Sequence, residues 1–448
     1  MSDPSVQDPA ERAEAAFIRI LEKPRLARGL VIAALALSSS ALFIGFYLDD
    51  YVARYIYTDL PDAPKLFRLL NGGFGLATGS LEENHWQIEQ GYAPWYTYPP
   101  LRLSLYRPLS LLTHVLDAKL WYDQPLFMHL HSLAWLALLV LVMTRLYRSA
   151  LGLRIGGMAA LLFALDHTHG FVAGYICNRH TLVTGLLGAL CLHVHLRARQ
   201  HPGPTSTRWL WLAPVLYVLA LLSGEAAIAI GGYIFAYELL AQEGSLARRA
   251  FAFAPYAAIT LVWRVLYTLA GYGASGSGLY IDPGREPAHY LAELLQRGPV
   301  LLWSLFFGVP AELYMVVSRA LSRSMLIAAC VLVPALALAL VPLLKRNRLA
   351  RFWAAGLLFS LVPAASTFPH SRQLLFASFG GLALIAQVWH LYAIELKGVQ
   401  LALPMRVAGF VAAMALFAHL VLAPLLKPIT TASVAVAEPL HRGTLMVG

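Results

Sequence analysis

Two carboxylates, Asp49 and Asp50, follow directly on an apolar run over 29–48, GLVIAALALSSSALFIGFYL. About 20 apolar residues suffice for a helix to cross a bilayer, so the pair is delivered to the far membrane face. There the acids have two readings. They begin a solvated loop and cap the next segment, or one of them acts as a base towards a hydroxyl nucleophile, its pKa raised by burial and by its neighbour's like charge. Other polar residues recur between later apolar runs: Glu82, Glu83, His85, Arg107, His114, His169, Arg179, Glu225, His370 and Arg372. Polar groups converging at one end of an apolar bundle are what a single active or binding site requires.

The elements that position them are membrane helices. With 58% hydrophobic and 13% charged residues over 448 positions, a water-soluble core is excluded and an all-α polytopic membrane protein is expected. The net charge of +10 comes from Lys and Arg concentrated in short loops, as the positive-inside rule expects, and so indicates topology rather than a nucleic-acid partner. Cys177, Cys191 and Cys330 have neither zinc-ligand nor paired spacing and read as packing residues.

Placing the basic loops in the cytoplasm gives about 11 helices, with the N-terminus inside and the C-terminus outside. Residues 1–28 form a cytoplasmic amphipathic arm ending in Lys23, Arg25 and Arg28, and the first span reads as a retained signal anchor. The transmembrane domain covers 29–426, with outer loops at 49–123 and 272–298 and a short outer tail at 427–448. Residues 299–318 are long enough to span, yet a crossing there would put Lys345, Arg346, Arg348 and Arg351 outside. A re-entrant element broken near Pro310 is therefore expected. PLSLLTHVLDAKLWY (108–122) reads as an amphipathic helix lying on the membrane, with His114 facing the surface.

No Walker motif, GxSxG elbow or HExxH is present. His129 with His131, and His193 with His195, are spaced i, i+2 and point to different helix faces, a poor arrangement for a metal. His167 and His169 stand in a connection beside Asp166, where a loop could bring them together as weak metal candidates.

The order of these motifs resembles the membrane core of GT-C glycosyltransferases, in particular the transmembrane and tetratricopeptide-repeat O-mannosyltransferases and their bacterial relatives. The matching features are Asp49 and Asp50, Tyr-Arg-Pro-Leu at 106–109, His129 and His131, the turn carrying His169 and Arg179, and Ser223 with Glu225. The likeness covers 48–240, and 371–384 resembles a later turn-plus-helix element more loosely. Four positions depart from the pattern. Asp166-His167-Thr168-His169-Gly170-Phe171 stands where the family reads His-Pro-x-His-x-Glu, Asn178 replaces a Gly, Thr181 an Asp and Gly224 a Lys. The roughly 20 residues after Leu426 are too few for one tetratricopeptide repeat.

The resemblance implies a polyprenyl-phosphate-linked sugar, such as mannose, as donor, and a hydroxyl on a protein or glycolipid as acceptor at the outer (periplasmic or lumenal) face. Asp50 is then the expected base, with Asp49 as its substitute or as the partner that raises its pKa. Arg179 and Arg372 are the expected phosphate clamp, or else interfacial anchors of their helices. Arg107, His131, His169, Glu225 and His370 are the further substrate-site candidates. No cofactor is indicated, and a divalent cation is left open. Two other classes fit the composition: a transporter or lipid flippase with 299–318 as a broken gating helix, or a non-catalytic assembly factor derived from an enzyme.

Overall fold

A computed structural model of the chain describes residues 9–51, 74–89, 95, 97–201 and 203–445. The protein is a helical integral membrane protein: among the described residues, seven helices are long and apolar enough to cross a bilayer. One of them, Pro125–Leu165, is broken at Gly152, whose backbone is left-handed (φ 79°), so it forms two limbs. The seven helices, the second limb and shorter apolar segments at 208–221, 228–241 and 348–365 coincide with all the spans expected from sequence.

The innermost helix is Leu375–Trp389, LFASFGGLALIAQVW, which is apolar on every face. In the most apolar 18 residues of 371–395, 89% are buried, against 11% in those of Leu246–Leu269, which therefore lies at the periphery. Small residues let the neighbours approach: a Cβ on Gly381 would come within 2.7 Å of Leu305. Two tyrosines from surrounding helices bond the central backbone, Tyr233 Oη donating to the Phe376 carbonyl at 2.7 Å and Tyr147 Oη to that of Phe379 at 2.9 Å.

The two ends of the bundle differ in chemistry. At one end the N-terminal helix Pro9–Glu22 docks under the basic loops. Arg154 pairs with Glu22 at 3.0 Å, and Arg148 donates to the carbonyls of Glu22 and Lys23. At the other end sits an antiparallel sheet of β1 (Phe74–Thr78), β2 (Arg102–Leu105) and β3 (Gly273–Ser275), with Arg102 opposite both Thr78 and Ser275. Buried Asn84 ties this cap together, accepting from Thr78 N and donating to the Pro99 and Leu101 carbonyls. The rest of the loop expected at 49–123, residues 52–73, 90–94 and 96, lies outside the described residues.

Three expectations are revised. Helix Pro108–Trp121 turns its polar face inward: Ser110, His114 and Asp117, spaced i, i+4, i+7, are buried, while Leu112, Leu116 and Leu120 are exposed. His114 is thus not surface-facing. Lipid replaces water as the solvent here, so the apolar stripe belongs outside and the polar one must find partners in protein.

Second, the segment expected as a tail is helical over Ala423–Leu445 and packs on the site end. Lys427 Nζ donates to the Ala164 carbonyl at 2.7 Å and Thr430 Oγ1 to that of His167 at 3.0 Å. Gly170 and Gly174, four apart, admit it, because a side chain at either would collide with Thr430 or Thr431.

Third, part of the outer loop expected at 272–298 is helical, because helix Pro287–Phe307 begins within it; that helix ends at Gly308, left-handed at φ 71° and two residues before Pro310. Arg297 donates to the Ala365 carbonyl at 3.1 Å, and Ala311 N donates to Ser371 Oγ at 3.1 Å.

Candidate functional site

The chain leaves its first span through 44–51, where Leu48 adopts φ 43°, an uncommon conformation for a residue with a side chain. This turn sends the adjacent carboxylates in different directions. Asp50 folds back, accepting from Tyr47 N at 3.0 Å and from Cys177 N at 2.8 Å, and only 3% of it is exposed. Burial pushes its carboxyl up to about 7, against the opposing pull of the Cys177 and Tyr47 donors. Asp49 instead lines a cavity of about 300 Å³ and accepts a 2.8 Å hydrogen bond from the Tyr175 hydroxyl.

Arginines from three separate elements line the same cavity. Arg107, just before helix Pro108–Trp121, pairs with Glu225 at 2.7 Å, and the Tyr267 hydroxyl donates to the same carboxylate at 3.1 Å. Arg264, within the apolar sequence LVWRVLY, lies 2.8–2.9 Å from both oxygens of Asp282. Arg372 differs: among the described residues no carboxylate pairs with it, its Nε is buried without a hydrogen-bond partner, and its guanidinium lies 5.3 Å from the Phe368 ring centre and 5.9 Å from that of Phe171. His370 Nδ1 accepts from Arg372 N at 3.2 Å and so holds the turn. Burial lowers the His370 pKa to about 4, keeping the ring neutral and able to accept.

An aromatic wall runs from the cavity towards the sheet. Ring centres lie 4.9 Å apart for Trp263 and Tyr267, 5.5 Å for Tyr267 and Tyr272, and 5.0 Å for Tyr272 and Tyr106. Trp263 lines the cavity, and its Nε1 is buried without a hydrogen-bond partner.

Of the residues expected at a site, Asp49, Arg107, Glu225 and Arg372 meet at this cavity. Asp50 lies behind Asp49, and His370 behind Arg372. Arg179 stands elsewhere, fully buried: its Nη2 lies 2.5 Å from Asp117, its Nε donates to Ser132 and its remaining donors reach the Met128 and Thr113 carbonyls. His131 belongs to this cluster, with Nδ1 2.6 Å from Asp117. Its Nε and Nη2 are therefore engaged inside the protein, and Arg179 is not among the residues that line the cavity. His169 is buried against Phe163, with Nε2 3.4 Å from Ser378 Oγ. Among the described residues no group of three His, Cys, Asp or Glu side chains could hold a metal ion, so His167 and His169 lack the further ligand that a site would need.

Arg264, Asp282, Tyr175, His180 and Asp117 were not among the sequence candidates. Arg264 carried a readable signal, since an ionisable residue within an apolar span is by default a functional position. Asp282 carried none.

No family profile matches the chain. Its sequence is similar to protein O-mannosyl-transferase TMTC3 of Mus musculus, 26% identical over 208 residues, and to that of Homo sapiens, 24% identical over 208 residues. The resemblance is to a membrane glycosyltransferase core. Each match takes in 46% of this chain and 20% of the relative, so the chain spans about a fifth of the length of the curated relatives it matches. Among solved structures, the oligosaccharyltransferase of Archaeoglobus fulgidus tethered with an acceptor peptide superposes with a TM-score of 0.49 and 12% identity over 92% of this chain and 55% of that one. ArnT from Cupriavidus metallidurans bound to undecaprenyl phosphate gives 0.42 and 15% over 93% and 78%.

Proposed function

We propose that the protein is a GT-C-type glycosyltransferase that moves a sugar from a polyprenyl-phosphate donor to a hydroxyl acceptor. The observation carrying this reading is that Asp49 lines one cavity with Arg372, which has no carboxylate partner among the described residues. Asp49 takes the proton from the acceptor hydroxyl as its oxygen bonds to the anomeric carbon. The bond from that carbon to the phosphate oxygen breaks, and the lipid phosphate departs with the electron pair. Arg372 meets that developing charge with its planar fork.

Asp49 takes the role expected of Asp50 because Asp50 is enclosed and its oxygens already accept backbone donors. Arg372 takes the clamp role without Arg179, whose donors are spent on Asp117 and its neighbours. Arg107 and Arg264 add positive potential at the wall, each balanced by its own carboxylate. The Trp263 and Tyr267 side chains, which line the cavity, suit the C–H face of a pyranose. Similarity to an O-mannosyl-transferase favours mannose and a protein acceptor. The positive-inside rule puts the basic end in the cytoplasm and the cavity at the periplasmic or lumenal face.

The test is transfer by the purified protein in lipid vesicles, with radiolabelled polyprenyl-phosphate mannose and glucose as donors and a serine/threonine-rich peptide as acceptor. Transfer that Asp49→Asn abolishes and Asp50→Asn largely retains supports the assignment. Equal transfer by wild type and Asp49→Asn would refute the base, and no transfer from either donor would refute the mannosyl or glucosyl reading.

A further inference from the structure

A second cavity, of about 970 Å³, opens at the opposite, basic end of the bundle. Arg25 and Arg28 line it from the start of the first span, Arg145 and Arg148 from the limb of Pro125–Leu165 before the Gly152 break, and Arg197 from the end of helix Arg179–Gln200. Among the described residues no carboxylate lines it. Arg148 is engaged with the Glu22 and Lys23 carbonyls. The side chains of Arg25, Arg28, Arg145 and Arg197 have no hydrogen bond or ion pair to any described residue.

Arg372 apart, the arginines of the other cavity have carboxylate partners, as do two packed in the bundle. Arg107, Arg199, Arg264 and Arg297 each have a carboxylate within 2.9 Å. Positive charge on cytoplasmic loops is ordinary. Four exposed guanidinium groups from three elements around one concavity are less so, because together they raise the positive potential there and attract an anion. Planar guanidinium forks match the oxygens of a phosphate. The wall also carries Trp209, Leu141 and Leu153, an apolar side suited to the glycerol and first methylenes of a lipid rather than to a wholly water-soluble ion.

We infer that this cavity is a binding site for a phosphate-bearing anion, supplied either by the headgroup of an acidic membrane lipid or by a soluble phosphate compound. The inference does not rest on the glycosyl-transfer reading, and either can fail alone.

The experiment is native mass spectrometry of the full chain, delipidated in detergent, with dioleoyl phosphatidic acid, dioleoyl phosphatidylcholine and inorganic pyrophosphate as probes. Phosphatidic acid is expected to be retained about tenfold more than phosphatidylcholine, with the double variant Arg145→Gln/Arg197→Gln removing that preference. Arg351→Gln, which takes a charge from the same end but outside the cavity, should leave it unchanged. Ala27→Trp fills the cavity while keeping every arginine and should also remove the preference, which tests the site even if the double variant unfolds. Undiminished lipid binding in excess pyrophosphate assigns the site to a lipid headgroup. One-to-one pyrophosphate binding that displaces the lipid and is lost in both cavity variants assigns it to a soluble phosphate. Equal retention of the two lipids with no pyrophosphate bound overturns the site, as does a preference that Arg351→Gln lowers as much as the cavity variants.

Discussion

The two ends of this bundle handle positive charge in opposite ways. At the site end, Arg107, Arg179 and Arg264 each have a dedicated carboxylate, leaving Arg372 as the cavity cation without one among the described residues. At the basic end, five arginines line one cavity, none with a carboxylate partner among the described residues. Local neutralisation leaves a defined position for one ligand charge, whereas accumulated charge attracts anions with less regard to geometry. The difference teaches that counting arginines does not locate a phosphate site, and that the partners of each arginine decide it.

The strongest way to break the comparison is to leave a buried charge unpaired. Asp117→Asn strands Arg179 in a fully buried setting, and a loss of roughly 3–5 kcal/mol is expected, read as a large drop in detergent-solubilised Tm or failure to fold. A stable variant that merely lost donor affinity would return Arg179 to the substrate site. Asp49→Asn comes next. Transfer should fall by roughly a hundredfold or more with Tm nearly unchanged, because Asp49 lines the cavity rather than supporting the fold.

Arg372 sharpens the contrast with the basic end. Arg372→Lys keeps the charge but loses the fork, and donor affinity should weaken about tenfold, more for Arg372→Ala. An interfacial anchor would tolerate Lys, since only a long cationic chain is needed there. Equal affinity in all three proteins would end the phosphate assignment.

The smallest effect concerns Asp50. Its folded pKa, raised to about 7 by burial, lies above its unfolded value near 4, so the folded state holds the proton more tightly. Its stabilising contribution is complete below about pH 4 and is lost as pH rises through about 7. Asp50→Asn imitates the protonated form, and its Tm should rise relative to wild type across that window. A difference independent of pH would show that Asp50 titrates normally.

Much of this was legible in the residues. The apolar runs mark the spans, and the motif order around Asp49, Arg107 and Glu225 marks residues that meet at the cavity. The helix over 108–122 was legible as an amphipathic helix, but His114 was expected at the surface and is instead buried in one polar stripe with Ser110 and Asp117, because the helix packs that stripe against protein. Lys427 looked like the start of a tail because hydropathy ends there, whereas its ammonium is satisfied by a carbonyl 263 residues earlier.

That the chain is a helical membrane protein, where its apolar segments begin and end, and that polar side chains gather between them can all be read from the residues alone, because a bilayer accepts backbone only when its hydrogen bonds are closed locally. Only the tertiary structure decided which of two adjacent aspartates faces the cavity, that Arg179 is spent on Asp117, and that Arg264 and Arg372 stand around the same space. Helical periodicity states which residues share a face of one helix, but the order of helices around a bundle and the direction of a side chain leaving a strained turn depend on long-range packing that no local pattern contains.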